Sequence, residues 1–164
     1  MWGMGLRRAG VVAAAVAGAT AVAPATSAAA ADVEYCSGNY TQEYYQAKKI
    51  ALPGKPDITV YVDLCLYNHV GSYQAISNVS WDGGFIVGKR FNSFTATVWV
   101  QKNDVNKCTG TGYPSINSYD SGSLAFTCAW QSANTSGVSA DGKIVYDIAN
   151  DGKGAYTWQL TGTS

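Results

Sequence analysis

This sequence predicts an all-β fold, a disulfide-braced antiparallel β-sandwich, on three observations. Apolar and polar residues alternate with a period of two through the middle of the chain. Gly, Asn, Asp and Pro recur between the alternating runs, and four cysteines follow an export-type leader. Almost nothing in the chain repeats with the period of a helix, so seven or eight short strands account for the pattern.

The leader comes first. "MWGMGLRR" is a positively charged start, "AGVVAAAVAGATAVA" an uncharged apolar stretch, and "PATSAAAA" a run of small residues behind Pro24. This is the layout of a secretory signal peptide, cut near Ala31. Its apolar segment is shorter and more Ala-rich than a spanning helix, which needs about 20 strongly apolar residues. Residues 1–31 are therefore read as the signal peptide, and 32–164 as one β-sandwich domain of a secreted, extracellular protein.

The strands follow in order. "YCSGNYTQEYYQAKKIAL" admits one or two strands or a short helix through "TQEYYQAKK", and its tyrosines favour strand. In "ITVYVDLCLY", Ile58, Val60, Val62, Leu64 and Leu66 alternate with Thr59, Tyr61, Asp63, Cys65 and Tyr67, which is the mark of a half-buried strand. "SYQAISNVSW" puts Tyr73, Ala75, Val79 and Trp81 on one side. Asn68 and Gly71 are turn residues, so these two runs form a hairpin with His69 near its tip. "DGGFIVGK" is a glycine-rich connection, and "RFNSFTATVWVQK" makes a strand with Phe94, Ala96, Val98 and Val100 inward and Trp99 outward. Residues 105–123, "VNKCTGTGYPSINSYDSGS", read as one long loop. "LAFTCAW" resumes the alternation, with Leu124, Phe126, Cys128 and Trp130 on one face. "KIVYDIA" and "AYTWQLT" then flank Asn150–Gly154 as a terminal hairpin. The immunoglobulin arrangement is one version of such a sandwich. It would place a Trp between two inter-sheet cysteines, and Trp81 and Trp99 do fall between Cys65 and Cys128 in the chain.

An even cysteine count in an exported chain points to disulfides. Of three connectivities, Cys36–Cys65 and Cys108–Cys128 close the shorter loops and are preferred. Zinc is disfavoured, because no C-x-x-C pair occurs and the single histidine sits in a turn.

Composition narrows the partners. Without Arg7 and Arg8 of the leader, nine Lys and Arg remain against eleven Asp and Glu. That balance lacks the basic excess of a nucleic-acid binder, and no second apolar run could cross a membrane. Lys48-Lys49 and Lys89-Arg90 read as solvated pairs. Asp82, Asp141 and Asp151 each precede a glycine and read as turn formers.

No catalytic machinery is apparent. A hydrolytic triad would have to use His69, but no G-x-S-x-G surrounds any serine and the disulfides consume every thiol. A glycosidase would need two carboxylates facing one cleft, for which Asp63 and Asp147 are the candidates. The simpler reading is that both face solvent. No calcium loop or phosphate loop occurs, and no cofactor is implied. Aromatic residues stand out instead: Tyr35, Tyr40, Tyr44, Tyr45, Tyr61, Tyr67, Tyr113 and Tyr119 exceed what a small core can hold. Tyrosine combines contact area with a polar tip and little rotamer entropy, which suits recognition. The candidate partner-binding residues are Tyr61, Tyr67, Tyr113, Pro114 and Tyr119. Of these, Tyr113-Pro114 is the rigid point of a flexible loop anchored at Cys108.

The leader, the size and the run "YVDLCLY…NVSWDGG…RFNSFTATVWVQKND" resemble small secreted β-proteins of actinomycetes. Among these, the build is similar to the adaptor subunit of the streptomycete umbrella toxin particles. The similarity lies in size, export, all-β pattern and cysteine usage, and no functional residue is carried over. It implies a non-catalytic protein with two protein-binding surfaces, bridging the helical repeats of a toxin-bearing stalk to lectin subunits with protease-like domains. The Tyr113-Pro114 loop would then enter a cleft on a partner. The expected function is thus a non-enzymatic protein-binding module, monomeric within a hetero-complex of secreted proteins. Two alternatives stand beside it: a hydrolase inhibitor working through the anchored loop, and a glycan-binding or glycan-active domain.

Overall fold

The computed structural model describes the backbone of residues 33–36 and all atoms of residues 46–69, 71–85, 88–133 and 136–163. Residues 1–31, expected to be a signal peptide, and the side chains of Tyr35, Cys36, Tyr40, Tyr44 and Tyr45 lie outside the described residues. Among the described residues nine strands form: β1 Val33–Cys36, β2 Gln46–Ile50, β3 Ile58–His69, β4 Ser72–Asp82, β5 Phe91–Lys102, β6 Val105–Gly112, β7 Ser121–Gln131, β8 Val138–Ile148 and β9 Tyr156–Gln159. All pairings are antiparallel. One sheet runs β1-β3-β4-β7, with β2 also paired to β3, and the other runs β6-β5-β8-β9. Strands β1 and β2 lie end to end on one edge of β3, opposite residues 65–68 and 58–62.

The two sheets stack as a sandwich, and the alternation seen in the sequence decides which residues fill it. Ile58, Val60, Val62, Leu64 and Leu66 of β3 face Phe94, Ala96, Val98 and Val100 of β5 and Ala140, Ile144, Tyr146 and Ile148 of β8 across one core. Fully burying such a Val, Leu or Ile side chain contributes roughly 1.5–3 kcal/mol. Phe91, Phe94, Tyr146 and Tyr156 form a chain of ring contacts with centroids 5.1–6.0 Å apart. The strand order β2-β3-β4-β7 against β6-β5-β8-β9 is not the immunoglobulin order, in which the first, second, fifth and fourth strands share a sheet.

Small residues and one disulfide close one side of the sandwich. Cys108 of β6 and Cys128 of β7 are bonded, with Cα atoms 5.8 Å apart, and they join an edge strand of each sheet. Beside the disulfide, a Cβ on Gly110 would lie 2.5 Å from the Thr127 carbonyl oxygen, and one on Gly112 would lie 2.4 Å from the Phe126 ring. This explains a correction to the sequence reading. Residues 105–112 are not the start of a long loop; they are an edge strand whose glycines permit close approach to β7. The turn before it, Asn103-Asp104, has φ of 49° and 63°, as a two-residue hairpin of type I′ requires. The loop that remains spans only residues 113–120.

The other side is closed by side chains. The Gln46 side-chain amide donates to Thr161 O (3.0 Å) and accepts from Thr161 N–H. The Lys48 ammonium lies 5.7 Å from the ring centres of both Tyr146 and Trp158. The backbone of Cys36 stands opposite Cys65, which is disulfide-bonded. Asp141-Gly142, read above as a turn, lies within β8. A Cβ at Gly142 would meet Thr97 O at 2.7 Å, so glycine serves close packing there.

The terminal hairpin is held by Asp151. Its Oδ1 accepts the Lys153 N–H, and its Oδ2 accepts the Tyr156 hydroxyl, both at 2.8 Å. That hydrogen bond, with desolvation and the Asp151 charge adding to it, holds the Tyr156 phenol above the ordinary 10.0. With the folded-state value raised, the stabilisation is complete below the unfolded tyrosine pKa. It is lost as pH rises through the folded one. A phenolate absorbance titration should show a late-ionising tyrosine that Tyr156→Phe removes and Asp151→Asn returns towards the ordinary range. A titration unaltered by Tyr156→Phe would refute the assignment. Replacing Cys108 and Cys128 by Ser should lower the unfolding free energy by about 3 kcal/mol, as expected for opening a 20-residue loop. An unchanged denaturation midpoint would show that the bond is dispensable.

Candidate binding surface

The connections β2–β3, β4–β5, β6–β7 and β8–β9 gather at one end of the sandwich, and the residue that organises them is Arg90. Sequence reading placed Arg90 on the solvated surface; it is only 2 % exposed. Its Nη1 donates to the carbonyl oxygens of Ile116 (3.2 Å) and Tyr119 (3.1 Å). Its Nη2 donates to those of Gly83 and Gly84, the latter at 2.6 Å. The Asp120 carboxylate lies 3.8 Å from Nη2. An arginine presents five N–H donors in a fixed plane, so one guanidinium can pin two loops that are remote in sequence.

Further bonds tighten the same assembly. Asn117 Oδ1 accepts the backbone N–H groups of Arg90 and Phe91, both at 2.9 Å, and its amide donates to Phe91 O at 2.8 Å. Trp81 Nε1 donates to Tyr119 O at 3.1 Å, and Gly83 N–H donates to Asp120 O at 3.2 Å. Lys55 Nζ reaches Lys89 O from the β2–β3 turn. Ile116 is 1 % exposed and anchors the 113–120 loop in the core.

Pinning the backbone leaves certain side chains outside. Phe85 (78 % exposed), Tyr113 (71 %) and Tyr119 (62 %) all stand on these loops. Val105, the remaining exposed large apolar residue among those described, lies at the far end of β6. Tyr113 and Tyr119 thus project their side chains into solvent. Pro114 does not: it is buried, and the loop folds back onto the core instead of projecting a flexible point. Phe85 was missed by sequence reading. Its signal was present in "DGGFIVGK", an apolar run between glycines in a connection that has no apolar periodicity to explain it.

The other sequence candidates are scattered. Tyr61 and Tyr67 are half-buried on the outer face of β3, away from the loop cluster. Tyr61 borders a shallow depression with Ser80, Trp81 and Asp82. His69 is exposed at the end of β3 at the opposite end of the sandwich. It pairs with Ser72 across a two-residue turn in which Gly71 has φ 79°. Asn68 belongs to the strand, not the turn, and pairs with Tyr73. Asp63 also departs from expectation: it is 5 % exposed, not solvent-facing. Asp63 lies on the outer face of one sheet, while Asp147 lies on the outer face of the other and accepts the Asn92 amide at 3.2 Å. Stacked sheets are about 10 Å apart, and these side chains point away from each other, so they cannot flank one glycosidic bond. Among the described residues, no group of three or more His, Cys, Asp or Glu could hold a metal.

The loop end therefore offers exposed aromatics on a rigid base. Arg90→Met should cost roughly 3 kcal/mol or more in unfolding free energy, since it strands several buried carbonyls. It should also speed proteolytic nicking within residues 83–89 and 113–120. Unaltered stability and cleavage would show that the guanidinium does not hold the loops. No protein-family model, no curated protein and no solved structure matches this chain.

Proposed function

We propose that residues 32–164 form a secreted, non-enzymatic binding module that grips another extracellular protein through the loop end bearing Phe85, Tyr113 and Tyr119. The observation that carries this reading is that, among the described residues, three of the four exposed large apolar side chains stand at one end, on loops fastened by one buried arginine. Aromatic side chains at a contact supply most of the binding energy where their backbone is already ordered, because little entropy is then lost on association. The disulfide suits an extracellular setting. On the resemblance to umbrella-particle adaptors, the partner is a subunit of an extracellular toxin complex. The inward anchoring of Pro114 and Ile116 favours this reading over a protease-inhibitor loop, which must project to enter an active site.

Immobilised protein should retain large secreted proteins from culture supernatant in fixed stoichiometry. A Tyr113→Ser/Tyr119→Ser double variant with an unchanged circular dichroism spectrum should bind the isolated partner at least ~10-fold more weakly, the loss of about 1.4 kcal/mol or more expected from removing hot-spot aromatics. Equal affinity for the double variant would refute the proposal.

A further inference from the structure

A second arrangement lies on the outer face of the β6-β5-β8-β9 sheet, away from the loop end. Trp99 stands on a central strand, with Thr109 of β6 on one side and Asp141 of β8 on the other. The neighbouring rung carries Thr111, Thr97, Lys143 and Gln159. Trp99 is half-buried, and the Lys143 ammonium lies 5.7 Å from its ring centre. No hydrogen bond within the described residues engages the Trp99 indole N–H.

Asp141, opposite Trp99, also lines a depression on the next rung, with Gln101, Ser139, Ala140, Leu160, Gly162 and Thr163. It opens where the chain beyond β9 rejoins β8 out of step. Regular pairing would set residue 162 against Ala140, but Thr163 exchanges both backbone hydrogen bonds with Ala140 instead. Gly162 keeps the depression open: a Cβ there would lie 2.8 Å from Ala140 O and 3.8 Å from the Asp141 side chain. Asp141 Oδ1 accepts the Gly142 N–H at 2.7 Å, which fixes the carboxylate and leaves Oδ2 for another donor. The Gln101 amide nitrogen is held by Asn106 Oδ1 at 2.8 Å, leaving its carbonyl oxygen free to accept.

We infer that this face binds carbohydrate, with a pyranose ring stacked on Trp99 and its hydroxyls bonded by Asp141, Gln101 and Ser139. A sugar ring presents an apolar C–H face and a rim of hydroxyls that both donate and accept. The face supplies an indole, a carboxylate, an amide, a hydroxyl and an ammonium within a few residues of one another. A protein partner fits less well, because Trp99 is surrounded by threonines and charges, and Phe85, Tyr113 and Tyr119 all lie on the end loops. Lys143 can leave the ring as the sugar arrives, exchanging its cation–π contact for a hydrogen bond. The inference is independent of the loop-end reading.

Affinity electrophoresis of residues 32–164 in native gels containing laminarin, xylan, glycol chitin or dextran tests it. The protein should be retarded by at least one polysaccharide, Trp99→Ala and Asp141→Asn should each weaken apparent affinity at least tenfold, and the Tyr113→Ser/Tyr119→Ser variant should migrate as wild type. Asp141→Asn keeps an oxygen for the Gly142 N–H, so it tests the site even where Trp99→Ala unfolds. Absence of retardation in all four gels, or retardation unaltered by Asp141→Asn, would overturn the inference.

Discussion

A single buried guanidinium determines the shape of the loop-bearing end. Removing a cation from water costs several kcal/mol, and the nearest carboxylate, Asp120, is 3.8 Å away and half exposed. Four backbone carbonyls offset the cost, each charge-assisted bond being about twice as strong as a neutral one. Those carbonyls belong to two connections, 83–90 and 113–120, that run between the same two sheets. Moving either loop would strand part of the arginine, so the two behave as one unit, and the aromatics they carry keep a fixed relative position.

Closure of the sandwich rests on the opposite strategy, the absence of side chains. Gly110, Gly112 and Gly142 each stand where a Cβ would strike a carbonyl or a ring. With those positions empty, β6 lies against β7 closely enough for the Cys108–Cys128 bond, and β8 packs directly on β5. The far side uses Gln46 and Lys48 to cover what would otherwise be open edges. Covered edges leave the loop end and the outer sheet faces as the surfaces on which recognition can be built. Under the proposals above, a protein partner and a glycan would occupy different ones, which is compatible with a bridging role.

Much of this was legible from local pattern. In β3, β4, β5 from Phe94 onward and the second half of β7 the inward residues alternate and fall on the expected face, whereas a register shift at the start of β5 turns Phe91 and Phe94 both inward. The reading failed where burial depends on groups far away in the chain. Lys89-Arg90 looks like any solvated pair, because the carbonyls that receive the guanidinium come from residues 83–84 and 116–119. "CTGTG" looks like a loop because its inward positions are glycines, whose role is visible only beside Thr127 and Phe126. Asp141-Gly142 looks like a turn for the same reason. Tyr113 and Tyr119 were identifiable as surplus aromatics, but Phe85 went unnoticed inside a glycine-rich connection.

The sequence by itself determined the all-β class and the inward face of the long strands, and loop length favoured the Cys108–Cys128 pairing among three, because period-two alternation and loop length are properties of neighbouring residues. Tertiary structure alone decided that Arg90 is interior, that Asp63 and Asp147 point away from one another on separate sheets, and that Phe85 joins Tyr113 and Tyr119 at one end. Each of these depends on which strands become neighbours across the sandwich. That is set by the pairing of whole sheets and cannot be read from any local stretch of chain.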